Sequence, residues 1–307
     1  MREVLVSLCM PTNGVSEWVF PVLDSIYMQN CDDSLYEVVI TDNGSNIEFK
    51  NKIKDYLKQY SNLIYVETDA LPFLNEIEAY KNANGELIKF VNHRTKLLPG
   101  TLKKLIDFSK SNINSKPIIY YSNGILKKAK EIFKYNSFDE FVKNLSYYSS
   151  WSTGMAMWKS DLKDILNNSL NYNELFPHTN ILFFTQNRKE YIINNTIIFD
   201  EIPQGKIPKG NYDIFFAFGI EYPSVICDLF RTNSISIETC RYVINQNLYF
   251  VTESYFKYFI KKDYCSYDLT GINKMYGIYY KKIDIILTLP KVVFSKILHK
   301  IMKTRRK

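Results

Sequence analysis

The sequence has no uninterrupted run of about 18 apolar residues, the length that a membrane-spanning helix requires. It also has no signal peptide at its start, because Met1-Arg2-Glu3 leads directly into the strand-like segment 4–8. These two absences predict a cytoplasmic protein that does not cross a membrane.

Cysteine pairs at short spacing are absent as well. The five cysteines are odd in number, scattered and without any C-x-x-C spacing, so the sequence indicates neither a disulfide framework nor a zinc site. We expect buried, reduced thiols. The cysteines are Cys9, Cys31, Cys227, Cys240 and Cys265.

An evenly spread basic surface is lacking, although the net charge is +7. Nine Lys and Arg residues and one acid fall between residues 281 and 307, which leaves 30 basic and 31 acidic residues in the rest of the chain. A nucleic-acid groove needs positive charge over the folded body together with aromatic stacking positions. We therefore expect no nucleic-acid partner, and a basic tail on a nearly neutral body.

The sequence does contain an alternation of short apolar runs and amphipathic segments, which predicts an α/β fold. This pattern is typical of a mostly parallel sheet with helices on both faces. From residue 213 onward the pattern is helical and dense in Tyr and Phe, while 127–149 has only a weak helical pattern. The predicted strands are 4–10, 36–41, 63–66, 87–91, 117–122 and an edge strand at 190–195, and the predicted helices are 17–30, 47–60, 71–82 and 101–111.

Turn-forming residues follow two neighbouring predicted strands, at Pro11-Thr12-Asn13-Gly14 and at Asp42-Asn43-Gly44-Ser45. The carboxyl ends of parallel strands lie at one edge of a sheet, so backbone N–H groups and the Asp42 carboxylate would meet where nucleotides bind in open α/β proteins. The alternative is that the second segment is only a tight turn that caps the next helix.

A third predicted strand runs into the polar tip Asn92-His93-Arg94 and then into a helix opened by 97–100. Together these segments resemble GT-A glycosyltransferases of family 2, in the family's order and spacing. The resemblance implies a GT-A catalytic domain over 1–200, a helical acceptor-side region over 201–273 and a basic amphipathic tail over 274–307. It rests on 6–13, 23–26 with Gln29, 37–45, 83–86 and 97–100.

The resemblance places the family's metal-binding aspartates at His93 and Arg94, directly after Asn92. In such enzymes a divalent cation (Mn or Mg) offsets the charge on the departing diphosphate, and a guanidinium has the same sign and a two-pronged donor geometry. We therefore expect no metal cofactor, with Arg94 in its place. Two alternatives stay open: a metal held by other acids, and a non-catalytic subunit that binds a sugar-nucleotide or glycan in a polysaccharide assembly complex.

The resemblance also assigns the donor-binding residues. Small residues at 152–154 would let the backbone approach the sugar closely. A Gly/Pro/Lys loop at 203–212 either closes over the diphosphate or is a plain surface loop. The donor-binding candidates are Pro11, Thr12, Asn13, Asp42, Asn92, His93, Gly154 and Lys206.

The family's acidic residue that deprotonates the acceptor falls near His178. We predict a helix that begins at Pro177, and a helix N-terminus disfavours the imidazolium and keeps the ring able to accept a proton. Glu174 is the alternative base, and a purely structural histidine is the other interpretation. A base on the acceptor and Arg94 on the leaving group predict inversion at the sugar.

Apolar residues recur at helical intervals in the tail, among lysines, with Pro290 interrupting them. A basic amphipathic helix of this kind lies on an anionic membrane surface, and the alternative is a basic terminus packed on the domain. With the resemblance, this predicts a peripheral bacterial enzyme on the inner face of the cell membrane that builds a surface polysaccharide (O-antigen or capsule) on a lipid-linked glycan. The apolar residues are Ile285, Ile286, Leu289, Val293, Ile297 and Ile301.

Overall fold

A computed structural model describes residues 4–126, 130–167, 171–203, 207, 210 and 212–304. The chain forms two compact units. The first comprises Met1–Phe141 and Tyr148–Pro203, and the second comprises Val142–Tyr147 and Gln204–Lys307.

The first unit contains the strands, which form three sheets. The central sheet has the order β3-β2-β1-β4-β8, a second sheet has the order β6-β9-β7, and β5 pairs with β10. The strands are β1 (Val6–Thr12), β2 (Tyr36–Asp42), β3 (Leu63–Glu67), β4 (Leu87–Phe90), β5 (Thr95–Leu97), β6 (Ile118–Tyr121), β7 (Ile132–Tyr135), β8 (Ala156–Trp158), β9 (Tyr191–Asn194) and β10 (Phe199–Glu201).

Strands β1 to β4 run parallel, and β8 closes the central sheet antiparallel to β4. In β1 the register pairs Thr12 with Asp42 at the carboxyl end of β2. The two turns predicted to meet at one sheet edge therefore do so, and the α/β fold with a mostly parallel sheet is confirmed.

Both faces of the central sheet are buried, which explains the near-continuous apolar runs of its strands. Successive side chains of a strand point to opposite faces. Accordingly Leu8 and Met10 pack in one core cluster with the first helix, while Cys9 lies in another cluster with Ile77 and Tyr80. Burying a large apolar side chain of this kind stabilises the fold by about 1.5–3 kcal/mol.

The described residues before 185 include seven helices, and short 3-10 turns occupy Ser146–Ser150 and Ser152–Gly154. The Asn46 side chain caps the second helix by accepting a hydrogen bond from the Phe49 backbone N–H (3.2 Å). The cap is therefore Asn46 and not Asp42. The helices are α1 (Ser16–Tyr27), α2 (Ile47–Gln59), α3 (Asn75–Lys81), α4 (Thr101–Asn112), α5 (Phe138–Leu145), α6 (Lys159–Asn167) and α7 (Pro177–Phe184).

Some local predictions were wrong. The segment predicted as an edge strand is β9, which pairs with β6 on one side and β7 on the other. Strand β7 lies in the segment 127–149, for which only a weak helical pattern was visible. Its Ile, Phe, Lys and Tyr residues are all at least partly exposed at the sheet edge, so they lack the apolar run of a buried strand. Helix α3 begins at Asn75, four residues later than predicted.

The second unit is helical within its described residues. A π-helical turn (Ala217–Glu221) joins α8 to α9, and another (Phe256–Ile260) follows α10. Asn247 of α10 is buried and donates its amide N–H groups to the Phe218 carbonyl (2.6 Å) and to the Tyr280 hydroxyl (2.8 Å). The helices are α8 (Ile214–Phe216), α9 (Tyr222–Arg231), α10 (Ile237–Tyr255), α11 (Ile272–Met275) and α12 (Lys282–Thr304).

Helix α12 contains the predicted amphipathic tail. It continues through Pro290, so the prediction that proline interrupts the pattern was wrong. The helix buries Ile285 and Val292 and packs along α10, where Lys296 pairs with Glu253. No helix among the described residues is long and apolar enough to cross a membrane.

Candidate functional site

The carboxyl ends of β1 and β4 lie side by side at the point where the strand order reverses. The chain proceeds from β1 outward to β2 and β3, and then returns to place β4 on the other side of β1. In open α/β sheets this reversal opens the crevice in which ligands bind. Thr12 ends β1 and Asn92-His93-Arg94 follows β4, so both flank the crevice.

Thr12 and His93 join the two strand ends directly. The Thr12 hydroxyl lies 2.8 Å from Nδ1 of His93 and accepts a hydrogen bond from the Gly14 backbone N–H at 3.1 Å. Burial, and then the positive charge of Arg94, lower the pKa of His93 to about 3. The ring is therefore neutral near pH 7, and its Nδ1 forms one hydrogen bond with the Thr12 hydroxyl.

Arg94 is held at its backbone and lies beside an aromatic ring. Its N–H donates to the Asn92 side-chain oxygen (3.0 Å), and its carbonyl accepts from the Ile202 N–H (2.7 Å). The guanidinium carbon lies 5.4 Å from the centre of the Trp18 ring, a cation–π distance. Its Nη1 atom is buried without a hydrogen-bond partner among the described residues.

Asp42 is 1% exposed, and both of its carboxylate oxygens are engaged. Oδ1 accepts from the Gly44 backbone N–H and Oδ2 accepts from the Tyr65 hydroxyl, each at 2.8 Å. Gly44 is required here because a Cβ would lie 2.1 Å from the Asn13 carbonyl oxygen. Asp42 thus fixes the turn where β1 and β2 end.

The other two candidates on β1 differ in exposure. Pro11 is half-buried within the strand, whereas Asn13 is exposed just beyond it. Asn75, at the start of α3, donates to the carbonyls of Thr12 (3.2 Å) and Thr41 (2.9 Å). The Asn75 side chain therefore links the carboxyl ends of β1 and β2 by hydrogen bonds. The sequence analysis did not select this residue.

Gly154 lies in the 3-10 turn Ser152–Gly154 and is buried. A Cβ at this position would lie 2.1 Å from the Tyr120 ring. The packing of Tyr120 is by itself sufficient to require glycine at this position. Trp158, on the neighbouring strand β8, is 1% exposed and belongs to the core.

Lys89, on β4, is a buried cation that sequence reasoning missed. Its side chain is directed at the carbonyls of Phe90 (2.7 Å), Thr153 (2.5 Å) and Met155 (3.3 Å). Burial lowers the pKa of this lysine to about 7, while the three carbonyls match the three N–H bonds of an ammonium. The only sequence signal is a lysine inside an otherwise apolar strand.

His178 is the second residue of α7 and is 4% exposed. Its Nε2 lies 2.9 Å from the Ser150 carbonyl oxygen and its Nδ1 lies 3.5 Å from Oε1 of Glu76. Both ring nitrogens thus face protein groups and not an open cleft. Glu174 lies in the loop before α7 and is exposed, and Lys206 lies outside the described residues.

The strand-end residues do not fit a divalent cation. Nδ1 of His93 is already bonded to Thr12, and the neighbouring Arg94 carries the same sign of charge as a metal ion. Within the described part of the chain, no group of three or more His, Cys, Asp or Glu side chains could hold a metal ion.

Comparison with known families decides the classification. The model of the family named Glycosyl transferase family 2 matches residues 7–166, which is more than half of the chain. The chain belongs to glycosyl transferase family 2. It is therefore a glycosyltransferase by family, and the GT-A resemblance of the strand-end motifs is confirmed. No curated protein matches it in a sequence comparison.

Solved structures with a similar fold are glycosyltransferases at low sequence identity. TarS of S. aureus (residues 1–349) has a TM-score of 0.57 at 16% identity, over 83% of this chain and 74% of that fragment. The same TarS fragment in complex with UDP-GlcNAc gives a TM-score of 0.55 at 17% identity, over 82% and 73%. The mannosyltransferase PcManGT of Pyrobaculum calidifontis, in complex with GDP-Man and Mn²⁺, gives 0.50 at 12% identity, over 96% and 88%.

Proposed function

We propose that this family 2 glycosyltransferase transfers one sugar from a nucleotide-sugar donor to a hydroxyl group of a glycan. The proposal rests on family membership and on the residues that meet at the strand-order reversal. Similar structures bind such donors, namely UDP-GlcNAc in TarS and GDP-Man in PcManGT. The donor diphosphate would lie over the carboxyl ends of β1 and β4.

The observation that carries the proposal is the buried Nη1 of Arg94, which has no hydrogen-bond partner in the part of the chain that the structure describes. A buried N–H group without a partner costs roughly 1–3 kcal/mol, so a site that retains one is suited to an anionic ligand. A guanidinium can donate two parallel hydrogen bonds to phosphate oxygens and offset the negative charge that develops as the diphosphate departs. In this proposal Arg94 performs the role of a metal ion, and the neutral His93 contributes an Nε2–H donor beside it.

We place the acceptor on the side of the α7 N-terminus, and we propose that the sugar is inverted. A single displacement inverts the anomeric carbon and needs a base for the acceptor hydroxyl. His178 and Glu174 are the candidates, and Glu174 has the exposed carboxylate. His178 would need to release Ser150 or Glu76 before an acceptor proton could reach a ring nitrogen.

A donor screen tests the proposed function. The full chain is incubated with UDP-, GDP-, dTDP- and CMP-sugars in the presence of EDTA, and then with manganese. Thermal shift reports binding, since a ligand that binds only the folded state raises the melting temperature, and mass spectrometry reports hydrolysis or transfer. We expect one donor to give both a shift and turnover. A shift without turnover under any condition would instead identify a non-catalytic binding subunit.

We further propose that the acceptor is lipid-linked and that α12 lies on an anionic membrane surface. Several apolar side chains on this helix are at least two-fifths exposed, and lysines flank them at 282 and 291. Apolar insertion and lysine attraction to anionic headgroups act together in such helices. The exposed apolar residues are Ile283, Ile286, Leu287, Phe294, Ile297 and Leu298.

Vesicle sedimentation tests the membrane proposal. We expect the full chain to sediment with phosphatidylglycerol-containing vesicles more than with phosphatidylcholine vesicles, and less at high salt, which screens the attraction. Leu287→Ser with Phe294→Ser should weaken the association. The matched control is Ile132→Ser, because Ile132 is 51% exposed on β7. Equal sedimentation of all three proteins would exclude α12 as the contact.

A further inference from the structure

A carboxylate and an imidazole face each other in the core of the first unit. Glu76 of α3 is 3% exposed and His178 of α7 is 4% exposed. Oε1 of Glu76 and Nδ1 of His178 are 3.5 Å apart. Neither atom has another hydrogen-bond partner within the described ranges of the chain.

The position of the imidazole protons follows from its other contact. Nε2 of His178 lies 2.9 Å from the Ser150 carbonyl oxygen, which can only accept a hydrogen bond. Nε2 must therefore carry a proton. If the ring were neutral, Nδ1 would then present a lone pair to Glu76.

A lone pair of the ring facing an ionised carboxylate would be unfavourable in this dry environment. The two acceptors would repel each other, and each would lose the hydrogen bond that water supplies to an exposed group. A single additional proton converts this repulsion into a hydrogen bond. It does so whether it resides on Nδ1, as an imidazolium and carboxylate pair, or on Oε1, as a carboxylic acid donating to the ring.

The groups around the pair do not provide that proton by another route. Tyr80 on the same helix is buried, and burial followed by the Glu76 charge raises the pKa of its hydroxyl well above the usual value. Cys9 on β1, next to Tyr80, is also buried, and burial followed by the Glu37 charge raises the pKa of its thiol. Both groups therefore stay neutral and offer Glu76 no positive charge. The basic side chain that Glu76 contacts is His178.

The pair connects two parts of the site. Asn75, the residue before Glu76, donates to the Thr12 and Thr41 carbonyls at the ends of β1 and β2. On the other side, His178 is bonded to the carbonyl of Ser150, and Thr179 donates to the carbonyl of Ser149 (2.9 Å). The segment that these bonds hold leads directly into the 3-10 turn that ends at Gly154.

We propose that Glu76 and His178 hold one shared proton, and that Glu76 is a positioning residue that fixes the His178 ring and the 149–154 segment relative to the strand ends. The shared proton is a property of the fold alone. The effect on sugar transfer rests on the function proposed above.

Nuclear magnetic resonance tests the shared proton directly. The sequence has three histidines, so imidazole ¹⁵N signals are few and His178 is assigned by comparison with His178→Asn. We expect, near pH 7.5, either a protonated Nδ1 on His178 or a protonated Glu76 carboxyl in the ¹³Cδ signal. A neutral Nε2–H ring together with an ionised Glu76 would overturn the proposal. His93 provides the internal contrast, since its low pKa makes it neutral.

Two substitutions of Glu76 test the positioning role. Glu76→Gln keeps a donor for Nδ1 and should retain most of the turnover, with its His178 ring in the neutral Nε2–H form. Glu76→Ala leaves Nδ1 unpaired and should lower kcat by about tenfold or more, with little change in the donor KM. Wild-type kcat in Glu76→Ala would refute positioning. If the wild-type protein transfers no sugar, the proposed function fails while the proton assignment is still decided by the spectra.

Discussion

The Thr12 hydroxyl connects the carboxyl ends of β1 and β4 and has two partners. It accepts a hydrogen bond from the Gly14 N–H and forms another with Nδ1 of His93. Thr12→Val keeps the shape but leaves both partners without their hydrogen bond, so we expect a loss of about 1–3 kcal/mol in the free energy of unfolding. Urea unfolding measures it, and Thr12→Ser is the control because it keeps the hydroxyl. Equal losses in the two variants would contradict the hydrogen-bond account.

His93 gives the fold a defined pH dependence. Its folded pKa is about 3, below the value of about 6.5 expected for an unfolded chain. Between these values the unfolded state binds a proton that the folded state does not, so stability is full above about pH 6.5 and falls as the pH is lowered toward 3.

Substitution of His93 distinguishes its contribution to the pH dependence of stability from that of the carboxylates, which titrate in the same pH range. His93→Gln cannot gain charge, so its unfolding free energy should decline less between pH 7 and pH 5 than that of the wild type. The difference in slope should be at most roughly 1.4 kcal/mol per pH unit, which corresponds to one proton. Parallel declines would show that the His93 ring does not stay neutral in the folded protein.

At the residue scale, the sequence predicted where in the fold a residue lies more reliably than it predicted which groups its side chain contacts. The tripeptide Asn92-His93-Arg94 was placed correctly at a strand end, because strand periodicity and the following Pro-Gly turn are local signals. The Thr12–His93 bond joins residues 81 positions apart, and the Trp18 ring beside Arg94 comes from a helix. No local pattern encodes either contact, and the same holds for the contacts of the two His178 nitrogens with Glu76 and Ser150.

The 3-10 turn Ser152–Gly154 is an element whose shape depends on one glycine. A methyl group at Gly154 would overlap the Tyr120 ring, which is itself fixed because its hydroxyl donates to the Tyr148 and Trp151 carbonyls. We expect Gly154→Ala to lower the free energy of unfolding by about 1–3 kcal/mol through overpacking.

A double-mutant cycle with Tyr120→Leu checks the cause of that loss. Removing the ring makes space for the added methyl group, so Gly154→Ala should cost less in the Tyr120→Leu background than in the wild type. Equal costs in both backgrounds would indicate that Gly154 is needed for a reason other than Tyr120.

Helices and buried strands were predictable because their periodicity is strong and continuous. Strands β5, β7 and β10 were missed, since each has only three or four residues, and every residue of β7 and β10 is partly exposed or exposed. Pro290 was taken to interrupt the tail, but a proline facing solvent in a helix that packs along one side is tolerated when tertiary contacts hold both flanks. Ile285 and Val292 supply those contacts.

At the scale of the whole molecule, the family motifs and the excess positive charge lie in different parts of the chain. The recognisable family motifs lie in the first unit, whereas the net positive charge lies in the last 27 residues, most of which form α12. Family membership and the parallel sheet were predictable because the motifs that follow the strands indicate both. The donor sugar and the acceptor were not, since their specificity depends on side chains brought together by long-range packing.

The central claim is that Arg94 replaces a metal ion at the leaving diphosphate. The decisive measurement is kcat in excess EDTA for the wild type, Arg94→Lys and Arg94→Ala, with the donor that the screen identifies. Arg231→Ala is the matched control, because Arg231 is an exposed arginine paired with Asp228 on α9. We predict full turnover in EDTA for the wild type and the control, and a loss of about 10²–10³-fold for Arg94→Ala. Arg94→Lys should show an intermediate loss, because lysine keeps the positive charge but lacks the two parallel N–H donors of the guanidinium. Abolition of wild-type turnover by EDTA, or wild-type turnover in Arg94→Ala, would contradict the claim.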